Sequence, residues 1–233
     1  MKIKLIPNKS KSWALELAQE IRAYLSKFHE IVKKNAQLTI CIGGDGTILY
    51  ANYFGRLEGI SLGIGTKKSF ICQLTNENWK EKILQLIDSE KYEKMSCLET
   101  TIEGRKYIAI NDFVIHSTNF KIIKIEFSTN QKYSFLGDGL IISSALGSNA
   151  YSFSAGGEKF DPKTKIISVV PICPYKRSVQ TQNIKPQKIQ VKVPKGSALI
   201  VDGIIAKKFK EDMDLEILPS IDMLFLEGVG RYE

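Results

Sequence analysis

The sequence predicts an α/β N-terminal domain with a Rossmann-like parallel sheet (residues 1–90) and a mostly-β, sandwich-like C-terminal domain (residues 91–233). Three observations predict it. Strand-type and helix-type periodicities alternate through the first third of the chain, the order of a parallel sheet with crossover helices. Beyond residue 90, short β-type segments separated by turn residues replace that alternation, with one helix candidate among them. No repeat, low-complexity stretch or flexible linker interrupts the 233 residues, so the halves are expected to pack directly. The last residues are candidates to return to the first domain.

In order, Lys2–Ile6 has the apolar content of a short strand. Ala14, Leu17, Ala18, Ile21, Leu25 and Phe28 recur at spacings of three and four, one face of an amphipathic helix that Ser10 or Ser12 can cap. Leu38–Ile42 suits a strand buried on both faces, and it stops abruptly at Gly43-Gly44-Asp45-Gly46-Thr47 before a helix-compatible stretch. Ile60–Leu62 is a further strand, and Asn76 can cap a helix with Trp79, Ile83, Leu86 and Ile87 inward. In the second half, Ile123, Ile125 and Phe127 alternate with charged residues, as do Ile189, Val191 and Val193. Glu103-Gly104-Arg105 and Thr129-Asn130 are hairpin-turn sequences.

Composition narrows the function. With 43% hydrophobic and 25% charged residues, the chain has ordinary globular usage. No apolar run approaches the ~20 residues of a membrane span. The first residues hold only a five-residue strand-like stretch, unlike a signal peptide. A cytoplasmic protein is expected. The net charge of +8 favours anionic partners, but its lysines do not interleave with aromatics, so solvated faces are preferred over nucleic-acid binding. Cys41, Cys72, Cys97 and Cys173 lie far apart without a C-x-x-C pair, which predicts buried reduced thiols. The two histidines, His29 and His116, make a His-dependent triad or metal site improbable, and His116 in an apolar run is expected to be structural. No protein-built metal site is predicted.

Three segments suit chemistry. In CIGGDGTILYA (41–51), Gly43 and Gly44 permit a sharp turn and close ligand approach, and a helix start after them offers free N–H groups to an anion. Asp45 there suits a metal ion, a sugar hydroxyl, or simply a Gly-Asp-Gly turn. The stretch is neither the dinucleotide G-x-G-x-x-G nor a Walker loop. In LGDGLIISSALGSNAYSFSAGG (136–157), Tyr151 can stack on a base and serine hydroxyls can bind ring or phosphate atoms. The alternative there is a small-residue helix packed tightly on the sheet. Asn111-Asp112 is either a turn or a grip on vicinal ribose hydroxyls.

GGDGT, Asn111-Asp112, DGLIISSALGSNAYSFSAGG and PICP, in this order over nearly the whole chain, resemble the NAD kinase (ATP-NAD kinase) family. GGDGT is shared with diacylglycerol-type lipid kinases, whereas the serine-rich block is more specific. The resemblance implies an α/β first domain, a β-rich second one and an active site between them. It implies transfer of the terminal phosphoryl of ATP or polyphosphate to the adenosine 2′-hydroxyl of NAD, with Mg²⁺ or another divalent cation on the donor, in a homodimer or homotetramer. It implies Asp45 as general base, with Gly43, Gly44, Gly46 and Thr47 in the same loop. Asn111 and Asp112 would bind adenosine, and Asp138 would lie near the nicotinamide end. Asn149, Ala150, Tyr151 and Ser154 would line the adenine site, and Cys173 would offer a backbone contact.

The chain departs from the family where Asn-Thr-Gly-x-x-Gly-Phe-Leu is usual: here stands Gly65-Thr66-Lys67-Lys68-Ser69-Phe70, with Lys67 and Lys68 available for phosphate charge. Asn149 replaces a threonine, Phe135 and Leu136 a basic position, Tyr175 a histidine and Ile204 a glutamine. The competing readings are a GGDGT-type lipid or other small-molecule kinase, a catalytically silent nucleotide-binding protein, and a basic RNA-binding protein.

Overall fold

A computed structural model describes residues 1–230 of the chain, in two compact units: residues 1–95 with the segment from Met223 onward, and Ser96–Asp222. The first unit runs β1 (Lys2–Pro7), α1 (Ser12–Leu25), β2 (Glu30–Ile31), β3 (Leu38–Ile42), α2 (Asp45–Tyr53), β4 (Ile60–Gly65), β5 (Leu74–Thr75), α3 (Trp79–Asp88) and β6 (Tyr92–Met95). In the second unit come β7 (Leu98–Ile102), β8 (Arg105–Ala109), β9 (Asp112–Ser117), β10 (Ile123–Ser128), β11 (Lys132–Gly137) and β12 (Gly139–Ser144). A 3₁₀ turn (Leu146–Asn149) and the one-turn α4 (Tyr151–Ser154) follow. The unit continues with β13 (Ile167–Ile172), β14 (Gln182–Ile184), β15 (Ile189–Val193), β16 (Ser197–Val201), β17 (Ile204–Lys208) and β18 (Met213–Pro219), and β19 (Met223–Leu226) rejoins the first unit.

The first unit's sheet has the order β2-β1-β3-β4-β19-β6, with β5 beside β4. Every pairing in it is parallel except that of β6 with β19. Central β3 is buried at all five positions, as its unbroken apolar run requires. Ala14, Leu17, Ala18, Ile21 and Leu25 of α1 and Trp79, Ile83 and Ile87 of α3 share its core. Leu86 is only partly buried, and Phe28 lies beyond the end of α1, exposed, edge-on to Tyr24.

The expected helix caps are not the observed ones. Lys11 occupies the N-cap of α1, because Ser10 is drawn instead to the Asn8 side chain by its N–H and hydroxyl. Asn78, not Asn76, precedes α3, and its side chain accepts the N–H of Thr75 rather than a helix N–H.

The second unit holds two six-stranded sheets, β11-β10-β15-β18-β7-β8 and β14-β13-β12-β9-β16-β17, with all pairings antiparallel. The first has one dry face, with Ile189, Val191 and Val193 buried and Gln190 and Lys192 exposed. The second is different. Strands β12 and β13 are buried throughout, apolar except for Ser143, Ser144 and Ser168, whose hydroxyls are all hydrogen-bonded. Val114, Ile141, Val170 and Ile172 make one core patch, with Ala155 packed on it. Glu103 and Gly104, both at positive φ, turn β7 into β8 as their sequence predicts. The helix expected after β12 is reduced to a 3₁₀ turn and a single α turn.

Candidate active site

In the first unit the predicted glycine loop sits at the carboxyl ends of β1, β3 and β4, where open α/β sheets place ligands. Both Gly43 and Gly44 have positive φ, and their N–H groups donate to the Ile64 carbonyl at 2.8 and 3.2 Å. A side chain at Gly43 would meet Asn8 Cβ at 2.4 Å and Thr47 Oγ1 at 2.6 Å, so that position admits only glycine. Lys11 Nζ donates to the Gly43 carbonyl at 2.7 Å. Thr47 is buried and accepts Asn8 Nδ2 at 3.4 Å; Gly46 faces open space.

Asp45, the first residue of α2, is held by the altered loop itself. Its carboxylate accepts the backbone N–H groups of Phe70 (2.7 Å), Ile71 (2.9 Å) and Cys72 (3.2 Å). The Cys72 thiol hydrogen-bonds to the same carboxylate, so four donors converge on its roughly four lone-pair sites. Burial, with the Asp45 charge second, pushes the Cys72 thiol well above its ordinary range, so it stays protonated. Gln73 fastens the loop: its Oε1 accepts the Gly63 N–H at 2.7 Å and its Nε2 donates to the Leu226 carbonyl at 3.0 Å. Next to it, a cavity of about 850 Å³ is lined by Lys67, Lys68, Lys82 and Lys91 together with residues of the loop and α3. Lys67 pairs there with Glu77 at 2.9 Å, both well exposed.

In the second unit the structure brings together four predicted residues from four separate segments. Asp112 opens β9, Asp138 joins β11 to β12, Tyr151 begins α4 and Cys173 follows β13. Tyr151 feels the charges of Cys173, Asp112 and Asp138, which, after burial, hold its phenol above the usual range. Burial first, then Asp138 by charge and hydrogen bond, raises the Cys173 thiol. The register of β12 on β13, with Gly139 opposite Ile172, causes that adjacency. Cys173 is exposed and at positive φ, so the expectation of buried thiols fails here although Cys41 and Cys97 fulfil it.

Asn111 and Asp112 form the corner between β8 and β9. Asp112 is 4% exposed, and burial, with the Asp202 charge second, raises its carboxyl to about 7. The Asn111 side-chain oxygen is buried without a hydrogen-bond partner. Such a group costs roughly 1–3 kcal/mol unless something supplies a donor. Asn149 turns its amide to Ser148 Oγ and the Phe160 carbonyl, both at 3.4 Å. Ala150 is the junction of the two short helices; Ser154 ends α4, exposed, and its N–H donates to the Ala150 carbonyl. His116 lies in β9 with Nδ1 2.9 Å from the Ser117 carbonyl, a structural position. Sequence reasoning missed two supports, Gln73 and Asp202; for Asp202 the signal was a further Asp-Gly between two apolar strands.

Comparison with known proteins places this arrangement. Residues 110–222 match the ATP-NAD kinase C-terminal domain. The NAD kinase of Methanosphaera stadtmanae is 28% identical over 205 residues, covering 83% of this chain and 74% of that protein. NAD kinases are the proteins this chain is similar to over most of its length. The NAD kinase of Natranaerobius thermophilus is 35% identical over 161 residues, 63% of this chain and 55% of its own. An NAD kinase from Archaeoglobus fulgidus, crystallised with ATP, shares the fold with a TM-score of 0.84 at 20% identity, over 98% of this chain and 94% of that one. The two-unit architecture, a largely parallel sheet and an antiparallel β unit, is therefore that of NAD kinases.

Proposed function

We propose that the chain is an NAD kinase, an enzyme that moves the terminal phosphoryl group of ATP onto the adenosine 2′-hydroxyl of NAD. The observation that carries this is the β8–β9 corner: a buried amide oxygen on Asn111 without a donor, beside a buried carboxyl on Asp112. Two adjacent acceptors in a dry corner suit the two vicinal hydroxyls of a ribose. In this reading Tyr151, 42% exposed, offers its ring face to adenine, with Asn149, Ala150 and Ser154 around it. Asp138 lies near the nicotinamide end, and Cys173 offers a backbone contact.

Phosphoryl transfer asks the protein for alignment and charge neutralisation more than covalent chemistry. A ribose hydroxyl attacks poorly near pH 7 unless a base accepts its proton as the bond forms, a contribution of roughly 10²–10⁴-fold. Asp45 takes that role, the Phe70–Cys72 N–H groups fixing its carboxylate and the weak Cys72 thiol donor giving way to the 2′-hydroxyl. The proton moves to Asp45 as the 2′-oxygen bonds to phosphorus and the bond to the donor's leaving phosphate breaks. Gly43, Gly44, Gly46 and Thr47 keep the loop clear for the donor. Among the described residues no group of three His, Cys, Asp or Glu side chains is set to hold a metal. A divalent cation on the donor's phosphates would neutralise their charge.

Polyphosphate as an alternative donor, a cytoplasmic location and a homodimeric or homotetrameric assembly complete the proposal; among the described residues no helix is long and apolar enough to cross a membrane. The test is incubation of the purified protein with NAD, ATP and Mg²⁺, reading NADP with an NADP-specific dehydrogenase. NADP formation is expected. No NADP with ATP or with polyphosphate, despite saturable NAD binding, would replace this reading by the catalytically silent one.

A further inference from the structure

The corner that carries Asn111 and Asp112 is held by a residue 90 positions away. Asp202 lies in the turn between β16 and β17, at positive φ, followed by Gly203, also at positive φ. One of its carboxylate oxygens accepts the N–H of Asn111 at 2.7 Å and of Asp112 at 3.1 Å; the other accepts the N–H of Ile110 at 2.9 Å. The backbone closes the loop in return, as Asp202 N–H donates to the Asp112 carbonyl at 3.1 Å. From β12, Ser144 Oγ donates to the Ile110 carbonyl at 2.6 Å, and Ser144 N–H and Ser143 Oγ donate to the Asn111 carbonyl at 2.9 and 3.2 Å. Every backbone polar group of residues 110–112 thus has a fixed partner, and three of the four donors involved on the Asp202 side converge on that one residue.

We infer that Asp202 is a positioning residue for the nucleoside: its carboxylate fastens the backbone of Ile110, Asn111 and Asp112 so that two side-chain acceptors stand ready before the ligand arrives. The inference rests on the proposed NAD-binding reading and extends it to a residue that never needs to touch the ligand. Preorganisation of this kind lowers the ordering cost of binding.

A purely mechanical clamp would not need a charge. A carboxylate beside a second, buried carboxylate adds like-charge repulsion to the desolvation that Asp112 already suffers. The titratable groups around Asp112 are Asp202 on the β16–β17 turn and Tyr151 on α4, the latter itself beside Asp138 and Cys173. The ionised form of Asp112 is the better acceptor for ribose hydroxyls. NAD binding should therefore weaken as pH falls through the point, at about 7, where Asp112 takes up its proton.

The experiment measures the NAD dissociation constant by calorimetry from pH 6 to 8, with KM alongside, for the wild type and for Asp202→Asn. A single proton with a midpoint at about 7 predicts wild-type binding about tenfold weaker at pH 6 than at pH 8. In Asp202→Asn the amide oxygen can keep the Asn111 and Asp112 donors while its NH₂ opposes the Ile110 N–H. Binding at pH 8 should weaken several-fold, and the pH 6 penalty should shrink to about threefold because the repelling charge is gone. A role in folding alone would weaken binding equally at every pH. A wild-type dissociation constant flat from pH 6 to 8, or an unmoved midpoint in the variant, would overturn the inference. If the variant fails to fold, wild-type hydrogen exchange decides: fast exchange at the Ile110, Asn111 and Asp112 amides would overturn the clamp. Wild-type protein that binds no NAD would remove both this inference and the reading beneath it, whereas binding with unmoved pH behaviour would remove this inference alone.

Discussion

The backbone N–H of Phe70 donates to the Asp45 carboxylate at 2.7 Å, so the residue proposed as base is anchored by the loop in which this chain departs from the usual NAD kinase pattern. Asparagine at position 45 keeps an oxygen for the Ile71 and Cys72 donors but points its NH₂ at the Phe70 N–H. Asp45→Asn should lose about 10²–10⁴-fold in NADP formation. It should also lose about 1 kcal/mol in urea unfolding, since a part-buried donor then faces an NH₂ instead of a carboxylate oxygen. Full activity in this variant would remove Asp45 from the chemistry.

Gln73 links the loop to two strands, accepting from Gly63 N–H in β4 and donating to the Leu226 carbonyl in β19. The pairing of β19 with β4 is recorded at one position, Phe225 opposite Ser61, so this side chain does the work of missing ladder bonds. Gln73→Leu leaves a donor and an acceptor unpaired and should cost about 2–4 kcal/mol in urea unfolding, with turnover falling alongside. Gln73→Glu retains the acceptor for Gly63 and, at acid pH with its carboxyl protonated, a donor for Leu226, so under those conditions it should cost less. Equal stabilities for the two variants would contradict this division of labour.

How much of this is legible in the sequence depends on contact range. The five-residue run Leu38–Ile42, the glycine turn after it and the alternation at Ile189–Val193 each follow from local pattern, and each appears as expected. Caps proved harder. Ser10, Ser12 and Asn76 all had the right chemistry, but Asn8 captured Ser10, and the chain reached Asn78 before turning into α3. Asp45 was readable as a functional carboxylate, but not its three backbone donors, 25 to 27 residues further along. Asp202 was less visible still: an Asp-Gly between apolar strands signals a hairpin, and only the pairing of β16 with β9 carries that hairpin to the Asn111 corner.

Gly147 packs face-on against that same corner. A Cβ added there would lie 2.2 Å from the Asn111 carbonyl oxygen and 2.6 Å from its Cα, a collision with backbone rather than a flexible side chain. Gly147→Ala must displace either the 3₁₀ turn or the corner, at a cost of roughly 1–3 kcal/mol. The shift should appear as weaker NAD binding in calorimetry, beyond any change in urea stability. A variant destabilised as expected, yet binding NAD like the wild type, would show that the corner does not contact the ligand.

The raised Asp112 carboxyl also makes stability depend on pH in a direction opposite to the surface carboxylates. In the unfolded chain it ionises near the ordinary 3.8; in the folded protein it holds its proton to about 7. Below both values neither state is charged and the stability is fully present. As pH rises from about 4 to about 7 the unfolded state gains charge that the folded one resists, so Asp112 lowers stability progressively, and the loss levels off above 7. Glu99, held below its usual range chiefly by Lys106, acts the other way, and its contribution is lost as pH falls through the acid range. Comparing wild type with Asp112→Asn cancels such background terms. The variant should be no more stable than wild type near pH 4, clearly more stable at pH 8, and weaker in NAD binding at pH 8. Parallel urea-unfolding curves for the two proteins across pH 4–8 would mean that Asp112 ionises as freely in the folded protein as in the unfolded chain.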